Sequence, residues 1–287
     1  MQNNGFSTNK TWNVRGRIVD FSTPKIMGIL NVTPDSFYDG SHYNDLTSAM
    51  KQAEKMINEG ADMIDIGGYS SRPGAEDIPA NEEADRVIDI IKAIGKRFPQ
   101  TLISIDTFRS EVAEKALDAG AGIVNDITGG DHDKELRKLA MKNRAPYIVM
   151  HMRGNPRTMN KLTQYGDVTN EVLTVLQKKV YEFGREGVID MAIDPGFGFA
   201  KNADQNFEML RNLEAFNMIG RPVLVGISRK SMIWRTLEIK PEEALNGTTA
   251  LNMVALMKGA DILRVHDVRE AVECVRLYGN ISRKLTK

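Results

Sequence analysis

The sequence has one cysteine, no excess of charge of either sign and no long apolar run. Cys274 alone cannot form an intrachain disulfide, and no tract reaches the ~18 uninterrupted apolar residues that span a membrane. Lys and Arg total 38, as do Asp and Glu, so no overall field draws the chain to nucleic acid or to an anionic membrane. The polar start, residues 1–10, lacks the apolar core of a signal peptide, and we therefore expect a cytoplasmic protein.

Short motifs of several common enzyme classes are also missing. Gly196-Phe197-Gly198 has no third glycine three residues further on, so there is no dinucleotide fingerprint, and no GxxxxGKS/T phosphate loop occurs. The four histidines form no HExxH motif and, without further cysteines, they argue against a zinc site. Cys274, on the apolar face of the last helical pattern, is interpreted as a core residue, and His151, after a buried strand, as a structural histidine.

What the sequence does contain is an alternation of short apolar runs with longer amphipathic stretches. The 287 residues, 41% of them hydrophobic, suffice for a large globular core. We predict eight strands, at residues 26–31, 61–66, 101–106, 122–125, 146–150, 188–194, 222–226 and 260–265. Helical spacing between them, as at Ala84, Val87, Ile88 and Ile91, predicts an α/β fold, a single (β/α)8 TIM barrel. An open doubly wound sheet is the alternative, because periodicity does not reveal closure.

A short β-hairpin is predicted ahead of the first strand–helix unit. Trp12, Val14, Ile18 and Phe21 flank Arg15-Gly16-Arg17, and an apolar hairpin of this size would close the floor of the barrel. We therefore divide the chain into an N-terminal polar segment and hairpin, 1–24, and a barrel domain, 25–287. Neither a linker-like tract nor a low-complexity segment marks a second domain.

Polar and charged residues follow the predicted strands at their carboxyl ends, where the active site of an α/β barrel lies. Each could instead serve as a helix cap or a loop tie, and three are interpreted in this way: Thr107, Asp126 and Asp267. Capping does not explain why Asp106 and Asp194 end apolar strands while Lys230, Arg264 and His266 follow neighbouring strands. A closed barrel would bring these five charged or titratable side chains to one mouth, where a ligand must satisfy them.

The signs of these charges indicate the ligand. The two carboxylates, with Asn125, match the adjacent NH donors of a flat heterocycle such as a 2-amino-4-oxo-pyrimidine, while Arg264 and His266 suit a phosphate or diphosphate. Asn31 offers a hard oxygen for Mg²⁺ beside that diphosphate, or alternatively only orders the turn that follows it. An anionic pocket beside a cationic one suits a ring that becomes positive as a diphosphate leaves.

Seven motifs of the sequence resemble, in order and spacing, those of the dihydropteroate synthases. They are residues 27–37 (MGILNVTPDSF), 65–68 (DIGG) with 71–74 (SRPG), 104–107 (SIDT), 125–126 (ND), 194–196 (DPG), 228–231 (SRKS) and 264–267 (RVHD). A single motif would be weak, but an ordered set across the whole barrel is specific. The resemblance implies a (β/α)8 transferase of folate biosynthesis, a sulfonamide target, that joins 4-aminobenzoate to (7,8-dihydropterin-6-yl)methyl diphosphate and releases diphosphate.

The resemblance also implies roles for individual residues. The pterin and diphosphate site would comprise Asn31, Ser71, Asp106, Asn125, Ile127, Asp194, Phe199, Lys230, Arg264, Val265 and His266. The aminobenzoate site would comprise Phe37, Ser71, Arg72, Pro73 and Ser231. The catalytic residues would be Asp39, Lys230, Arg264 and His266, and the metal ligand for Mg²⁺ would be Asn31. The implied mechanism is dissociative: the carbon–oxygen bond breaks first, and the unprotonated aniline nitrogen then attacks the cation. The family further implies a homodimer, formed through late helices.

Two departures from the family pattern and two rival functions stay open at this stage. Tyr69 stands where the family usually has Glu and receives no role, and Ser71 stands where it usually has Thr, keeping the hydroxyl. A pterin-binding methyltransferase barrel would not need residues 33–37 or 228–231. A noncatalytic pterin-binding module would not need Asn31, Arg264 and His266, all of which are present.

Overall fold

The structure, a computed structural model, describes residues 10–32, 42–70 and 77–282. Within these residues, an antiparallel hairpin precedes eight parallel strands that alternate with helices. The strands are β1 (Thr11–Val14), β2 (Arg17–Asp20), β3 (Lys25–Asn31), β4 (Met63–Gly67), β5 (Leu102–Asp106), β6 (Ile123–Asp126), β7 (Tyr147–Met150), β8 (Met191–Asp194), β9 (Leu224–Val225) and β10 (Ile262–Val265). The α-helices are α1 (His42–Glu59), α2 (Ala80–Arg97), α3 (Ser110–Ala119), α4 (Lys134–Asn143), α5 (Val168–Arg185), α6 (Ala203–Arg211), α7 (Ser231–Thr236), α8 (Leu245–Met257) and α9 (Val268–Ser282).

Closure of the sheet separates the barrel from its alternative. The parallel strands pair in the order β8-β7-β6-β5-β4-β3-β10-β9, which is chain order around a ring and lacks the reversal of a doubly wound sheet. A parallel bridge between Ile193 in β8 and Val223, just before β9, joins the two ends. The (β/α)8 prediction is therefore confirmed and the open sheet is excluded.

The hairpin β1–β2 closes the floor of this barrel, as predicted. Its turn is Arg15-Gly16, with φ of 52° and 86°, the left-handed pair that suits a tight hairpin. This turn sets Val19 opposite Trp12, and both are buried against the barrel. Ile18, named above among the apolar residues of the hairpin, is 70% exposed, because the turn has two residues and not three.

An apolar layer crosses the barrel directly above the hairpin, with one side chain from each strand. Because strand side chains alternate, the positions two residues further on point inward as the next layer. The apolar layer consists of Met27, Met63, Leu102, Ile123, Ile148, Ala192, Leu224 and Ile262. The layer above it consists of Ile29, Asp65, Ser104, Asn125, Met150, Asp194, Gly226 and Arg264. The interior of the barrel therefore changes from an apolar layer near the floor to a polar and charged layer at the mouth, two residues further along each strand.

The helices cover the outer face of the barrel with apolar stripes. α2 shows the pattern, since it buries Val87, Ile90, Ile91 and Ile94 and turns its charged residues outward, except for Glu83. Packing of this kind leaves the strand ends as the exposed edge of a rigid scaffold. Among the helices of the described residues, none combines the length and the hydropathy needed to cross a membrane.

Candidate active site

Asp65 is the centre of the polar layer, although the sequence analysis gave it no role. It is fully buried at the middle of β4. Its Oδ2 accepts from Arg264 Nε at 2.6 Å and from Asn125 Nδ2 at 2.9 Å. Its Oδ1 forms no hydrogen bond within the described residues, and neither does the hydroxyl of Ser104, the residue directly opposite on β5. Buried polar atoms are rarely left unpaired, so this layer is ready to bond a polar ligand.

Arg264 joins two strands' carboxylates from its place on β10. Besides the bond to Asp65, its Nη2 donates to Asp106 Oδ2 at 2.6 Å. Burial lowers the pKa of Arg264, but the attraction of the two carboxylates outweighs it, and the pKa lies above the usual value. The predicted anionic and cationic sides of the site are therefore not separate pockets, because Arg264 sits between the carboxylates themselves. Its Nη1 makes no hydrogen bond to the described residues and is available to a ligand.

Of the two carboxylates predicted to bind the heterocycle, Asp194 is buried at this mouth and Asp106 is partly buried there. Burial raises the pKa of Asp106 to about 7, with Arg264 opposing the shift. Burial also raises the pKa of Asp194, and the attraction of Lys230 opposes it. Asp194 Oδ1 accepts from the Gly196 amide at 2.7 Å. Carboxylates in this setting accept N–H donors strongly, because little water competes for them.

Lys230 lies just before α7, above a loop that follows β8. Its ammonium donates to the Phe197 carbonyl and lies 4.6 Å from the centre of the Phe199 ring. Burial lowers the pKa of Lys230 to about 8, while Asp194 raises it. Gly198, with φ of 78°, gives the lysine room, because a Cβ there would lie 2.9 Å from Lys230 Cδ. The structure thus brings Lys230, Asp194 and Phe199 together, as the sequence suggested.

The side of the mouth expected to take an anion contains His266, two residues beyond Arg264. Its backbone amide donates to Ser228 Oγ at 3.1 Å, and its Nδ1 lies 3.0 Å from the same oxygen. Val265, between the two, is fully buried. Arg229 pairs with Asp267 through Nε and Nη2 at 2.9 and 2.8 Å, so Asp267 is a loop tie, as interpreted.

Asn31 ends β3 and pairs in register with Gly67 of β4, which in turn pairs with Asp106 of β5. The three residues therefore lie at the same level of the barrel. Its side chain makes no hydrogen bond within the described residues. Those residues also contain no group of three or more His, Cys, Asp and Glu side chains that could cage a metal. A lone amide oxygen beside a diphosphate nevertheless fits Mg²⁺, which keeps most of its water and takes few protein ligands.

An apolar cluster forms one wall of the mouth. It contains Ile127 and, packed against it, Phe199, the two residues expected to face the heterocycle. Met150 and Met152 belong to the same cluster, although the sequence analysis assigned them no role. Asp126, next to Ile127, accepts from the Gly130 amide at 2.6 Å and from the Tyr147 hydroxyl at 2.6 Å, and it is a loop tie, as interpreted. Flexible methionine side chains in this apolar wall can adapt to a flat ligand with apolar faces.

Tyr69, the departure from the family pattern, packs beneath an arginine. Its ring meets Phe108 edge to face at 5.0 Å, and the Arg109 guanidinium lies 5.3 Å from its centre. Arg109 donates to Glu83 at 2.8 Å and to Asp77 at 3.1 Å. Glu83 is fully buried, and it also accepts from Thr107 Oγ1 at 2.6 Å, which makes Thr107 a tie as interpreted. The tyrosine therefore helps to hold residues on either side of the 71–76 segment.

Of the remaining predicted site residues, five lie outside the described residues: Phe37, Asp39, Ser71, Arg72 and Pro73. Ser231 is described and is the first residue of α7, directly after Lys230.

Comparison with known proteins agrees with this geometry. The model of a family described as "Pterin binding enzyme" matches residues 27–266. The dihydropteroate synthase of Escherichia coli is 44% identical over 265 residues, 92% of this chain and 93% of that protein. The dihydropteroate synthase of a Synechocystis species is 46% identical over 255 residues, 88% of each chain.

Solved structures give the same result. The Yersinia pestis dihydropteroate synthase in a sulfonamide drug complex superposes with a TM-score of 0.90 at 37% identity and covers 96% of this chain and 100% of its own. The Xanthomonas albilineans dihydropteroate synthase with 4-aminobenzoic acid superposes with a TM-score of 0.90 at 35% identity and covers 96% of this chain and 99% of its own.

The fold and the site therefore define a pterin-binding enzyme, and the chain belongs to that family. Within the family it belongs to the dihydropteroate synthases, which are transferases of folate synthesis.

Proposed function

We propose that this enzyme condenses 4-aminobenzoate with (7,8-dihydropterin-6-yl)methyl diphosphate, forming 7,8-dihydropteroate and releasing diphosphate. The observation that carries the proposal is the polar layer at the barrel mouth. There Asp65 and Asp106 bind the partly buried guanidinium of Arg264, Asn125 donates to the same Asp65 oxygen, and the other Asp65 oxygen is unpaired within the described residues. A noncatalytic module would have no need for this charge or for the His266 side of the mouth.

The pterin is recognised by its hydrogen-bonding edge and by its faces. Asp106 and Asp194 accept from the amino and ring N–H groups, and Asn125 and Lys230 donate to ring acceptors. Ile127 and Phe199 pack against the ring faces, and the apolar cluster to which they belong supports this placement. The loss of any one of these polar partners leaves a buried group unpaired, which penalises both affinity and specificity.

The diphosphate lies on the side of Arg264 and His266, with Val265 between them. Arg264 contributes the nitrogen that its carboxylate partners leave free, and Asn31 is the ligand for Mg²⁺. The metal, when bound, neutralises charge on the leaving diphosphate. The protein's own part is to fix these cations in place before the reaction, so that no reorganisation is needed as negative charge develops.

The reaction proceeds by dissociation. The bond between the methylene carbon and the diphosphate oxygen breaks, and its electron pair leaves with the diphosphate. The carboxylates beside the ring, with Asp39, stabilise the dihydropterin-methyl cation that results. The amine nitrogen of 4-aminobenzoate then forms the new carbon–nitrogen bond and releases one proton to solvent. Exclusion of bulk water keeps the cation from capture by water.

The aminobenzoate binds beside this centre, in a site shaped by Phe37, Ser71, Arg72, Pro73 and Ser231. The solved Yersinia pestis and Xanthomonas albilineans synthases hold a sulfonamide drug and 4-aminobenzoic acid respectively. We propose that both classes of molecule compete for the same site here.

We further propose that the enzyme is a homodimer joined through its late helices. Four large apolar side chains on α8 and α9 are exposed: Val254, Met257, Leu277 and Ile281. Scattered exposure of such residues is common, whereas a group on two adjacent helices suits an interface. Analytical ultracentrifugation of the wild type and of Leu277→Asp tests this, and a wild-type monomer would contradict it.

The decisive experiment is a product assay. The purified enzyme is incubated with (7,8-dihydropterin-6-yl)methyl diphosphate, Mg²⁺ and radiolabelled 4-aminobenzoate, and the label is followed into 7,8-dihydropteroate by chromatography. We expect product that depends on both substrates and equals the diphosphate released. Diphosphate release without pteroate, or no reaction at all, would contradict the proposal.

A further inference from the structure

The loop that follows β8 carries several contacts of the pterin site while adopting an unusual backbone. Gly196, Gly198 and Ala200 have φ of 73°, 78° and 51°, all in the left-handed region. Alanine is disfavoured there because its Cβ crowds the following carbonyl. A loop of this shape keeps its conformation only where surrounding groups hold it.

Lys201, immediately after this loop, supplies the groups that hold it. The side chain is buried, and its ammonium donates to the carbonyls of Gly196 and Phe199, at 2.9 Å each. Its third neighbour is His151 Nδ1, at 3.0 Å, in the segment after β7. Burial lowers the pKa of Lys201 to about 7, while Asp194 raises it. In its charged form the ammonium has three N–H donors, and here they match three acceptors within the protein.

His151 acts as an acceptor in this contact. Burial, with the nearby Lys201 charge, lowers the pKa of His151 to about 2, so the ring is neutral, and the contact of Nδ1 with the Lys201 ammonium assigns the ring proton to Nε2. The backbone amide of His151 donates to the carbonyl of Asp194 at 2.9 Å. Lys201 and His151 therefore tie the ends of β7 and β8 to the loop between β8 and α6.

The loop held in this way presents three groups to the pterin site. Its Phe197 carbonyl accepts from Lys230, its Phe199 ring lies under the same ammonium, and its Gly196 amide donates to Asp194. A shift of the loop would displace all three together. The three donors of Lys201 already have acceptors in the protein, so the side chain acts on the site through the loop.

We propose that Lys201 is a positioning residue for the pterin site: with His151 as its acceptor, it fixes the loop at 196–200 and so sets the places of Lys230, Phe199 and Asp194. The inference rests on the proposed function for the identity of the ligand. It predicts that loss of the ammonium weakens pterin binding selectively, because displacement of a few tenths of an ångström at several contacts adds up. Ser231, on the aminobenzoate side of the mouth, makes no hydrogen bond to this loop within the described residues.

The test is Lys201→Met, which keeps the length of the side chain and removes its donors. We expect KM for the pterin diphosphate to rise about tenfold and KM for 4-aminobenzoate to stay within about twofold. Pteroic acid binding, measured by titration calorimetry, should weaken by a similar factor and needs no turnover. The matched control is Lys10→Met, which removes an ammonium bound to Asn217 and Asp261 at the opposite end of the barrel. The control should change neither KM.

A pair of variants at His151 repeats the test should Lys201→Met fail to fold. His151→Asn keeps an acceptor near the position of Nδ1, whereas His151→Leu removes it and leaves the ammonium one partner short. We expect the leucine variant alone to raise the pterin KM and to weaken pteroic acid binding. Equal behaviour of the two, or an equal rise in both substrates' KM values, would overturn the inference. A wild type that binds pteroic acid but forms no pteroate would count against the proposed function and not against this inference.

Discussion

Arg264 on β10 and Asp65 on β4 share a hydrogen bond of 2.6 Å that reaches past the strand between them, β3. Because Asp65 also accepts from Asn125, one carboxylate orients a cation and an amide that we assign to opposite parts of the substrate. Arg264 in turn contacts Asp106, so a change at Asp65 reaches groups from four strands. Several predictions about the mouth depend on this connection.

Asp65→Asn should impair the enzyme although Asp65 has no predicted contact with the diphosphate. Loss of the charge leaves Arg264 with one carboxylate, and breaking a buried ion pair costs about 3 kcal/mol of unfolding free energy. We expect kcat/KM for the pterin diphosphate to fall about a hundredfold, measured by steady-state kinetics alongside urea unfolding.

The control for this variant is Ser104→Ala, at the position directly opposite Asp65 on β5. Its hydroxyl has no partner among the described residues, so its removal should leave stability nearly unchanged. If Ser104→Ala lost as much unfolding free energy as Asp65→Asn, the central role of Asp65 would be wrong.

The pH dependence should follow two partly buried groups at the mouth, Asp106 and Lys230. The carboxylate form of Asp106 accepts from the pterin and predominates only above its pKa of about 7, whereas charged Lys230 predominates only below its pKa of about 8. The value of kcat/KM for the pterin diphosphate should therefore rise through about pH 7 and fall above about pH 8. Initial rates from about pH 5.5 to about pH 9.5 measure both limbs. In Asp106→Asn the acid limb should disappear, and its persistence would assign the limb to another group.

Removal of Arg109 should destabilise the fold more than removal of a surface arginine. Arg109→Met leaves the buried carboxylate of Glu83 with the Thr107 hydroxyl but without its ion-pair partner, which costs about 3 kcal/mol, whereas Arg269→Met breaks an exposed pair with Glu273 on α9. Chemical denaturation of both variants gives the comparison. A midpoint for Arg109→Met equal to that of Arg269→Met would show that the buried pair contributes little.

Asn31→Ala should raise the requirement for metal. If Asn31 ligates Mg²⁺ beside the diphosphate, its loss should increase the Mg²⁺ concentration at half-maximal rate about tenfold, with activity recovered at high Mg²⁺. A titration of the initial rate with Mg²⁺ tests this. An unchanged titration curve would remove the metal assignment from Asn31, and full activity of the wild type in excess chelator would remove the metal itself.

Much of the barrel could be predicted from the sequence, because buried parallel strands are continuous apolar runs and each predicted run overlaps an observed strand. Closure could not be predicted, since it rests on the pairing of β8 with Val223, and a contact of this kind leaves no local pattern in the sequence. The exposure of the hairpin residue Ile18 has a local reason: the turn includes Arg15-Gly16 only, so Val19 faces the barrel and Ile18 does not.

The candidate site was predicted where charged residues end or follow their strands, whereas Asp65 was missed because it lies inside its strand. Asp106 and Asp194 attract notice because each ends an apolar run, but Asp65 lies within one, followed by Ile66 and Gly67. A signal did exist. Asp65 stands two residues beyond Met63 of the apolar layer, in the same relation as Arg264 to Ile262. That signal becomes useful only once closure is known, because only then do these positions share an interior.

The most direct test of the account is pterin binding to Asp194→Asn and to Asp190→Asn, changes at the two ends of β8. A 7,8-dihydropterin is titrated into each folded variant and into the wild type in a calorimeter. We predict about a hundredfold weaker binding for Asp194→Asn, because a buried charged acceptor is lost, and wild-type binding for Asp190→Asn at the barrel floor. Wild-type affinity in Asp194→Asn would contradict the claim that the mouth of the barrel binds the pterin.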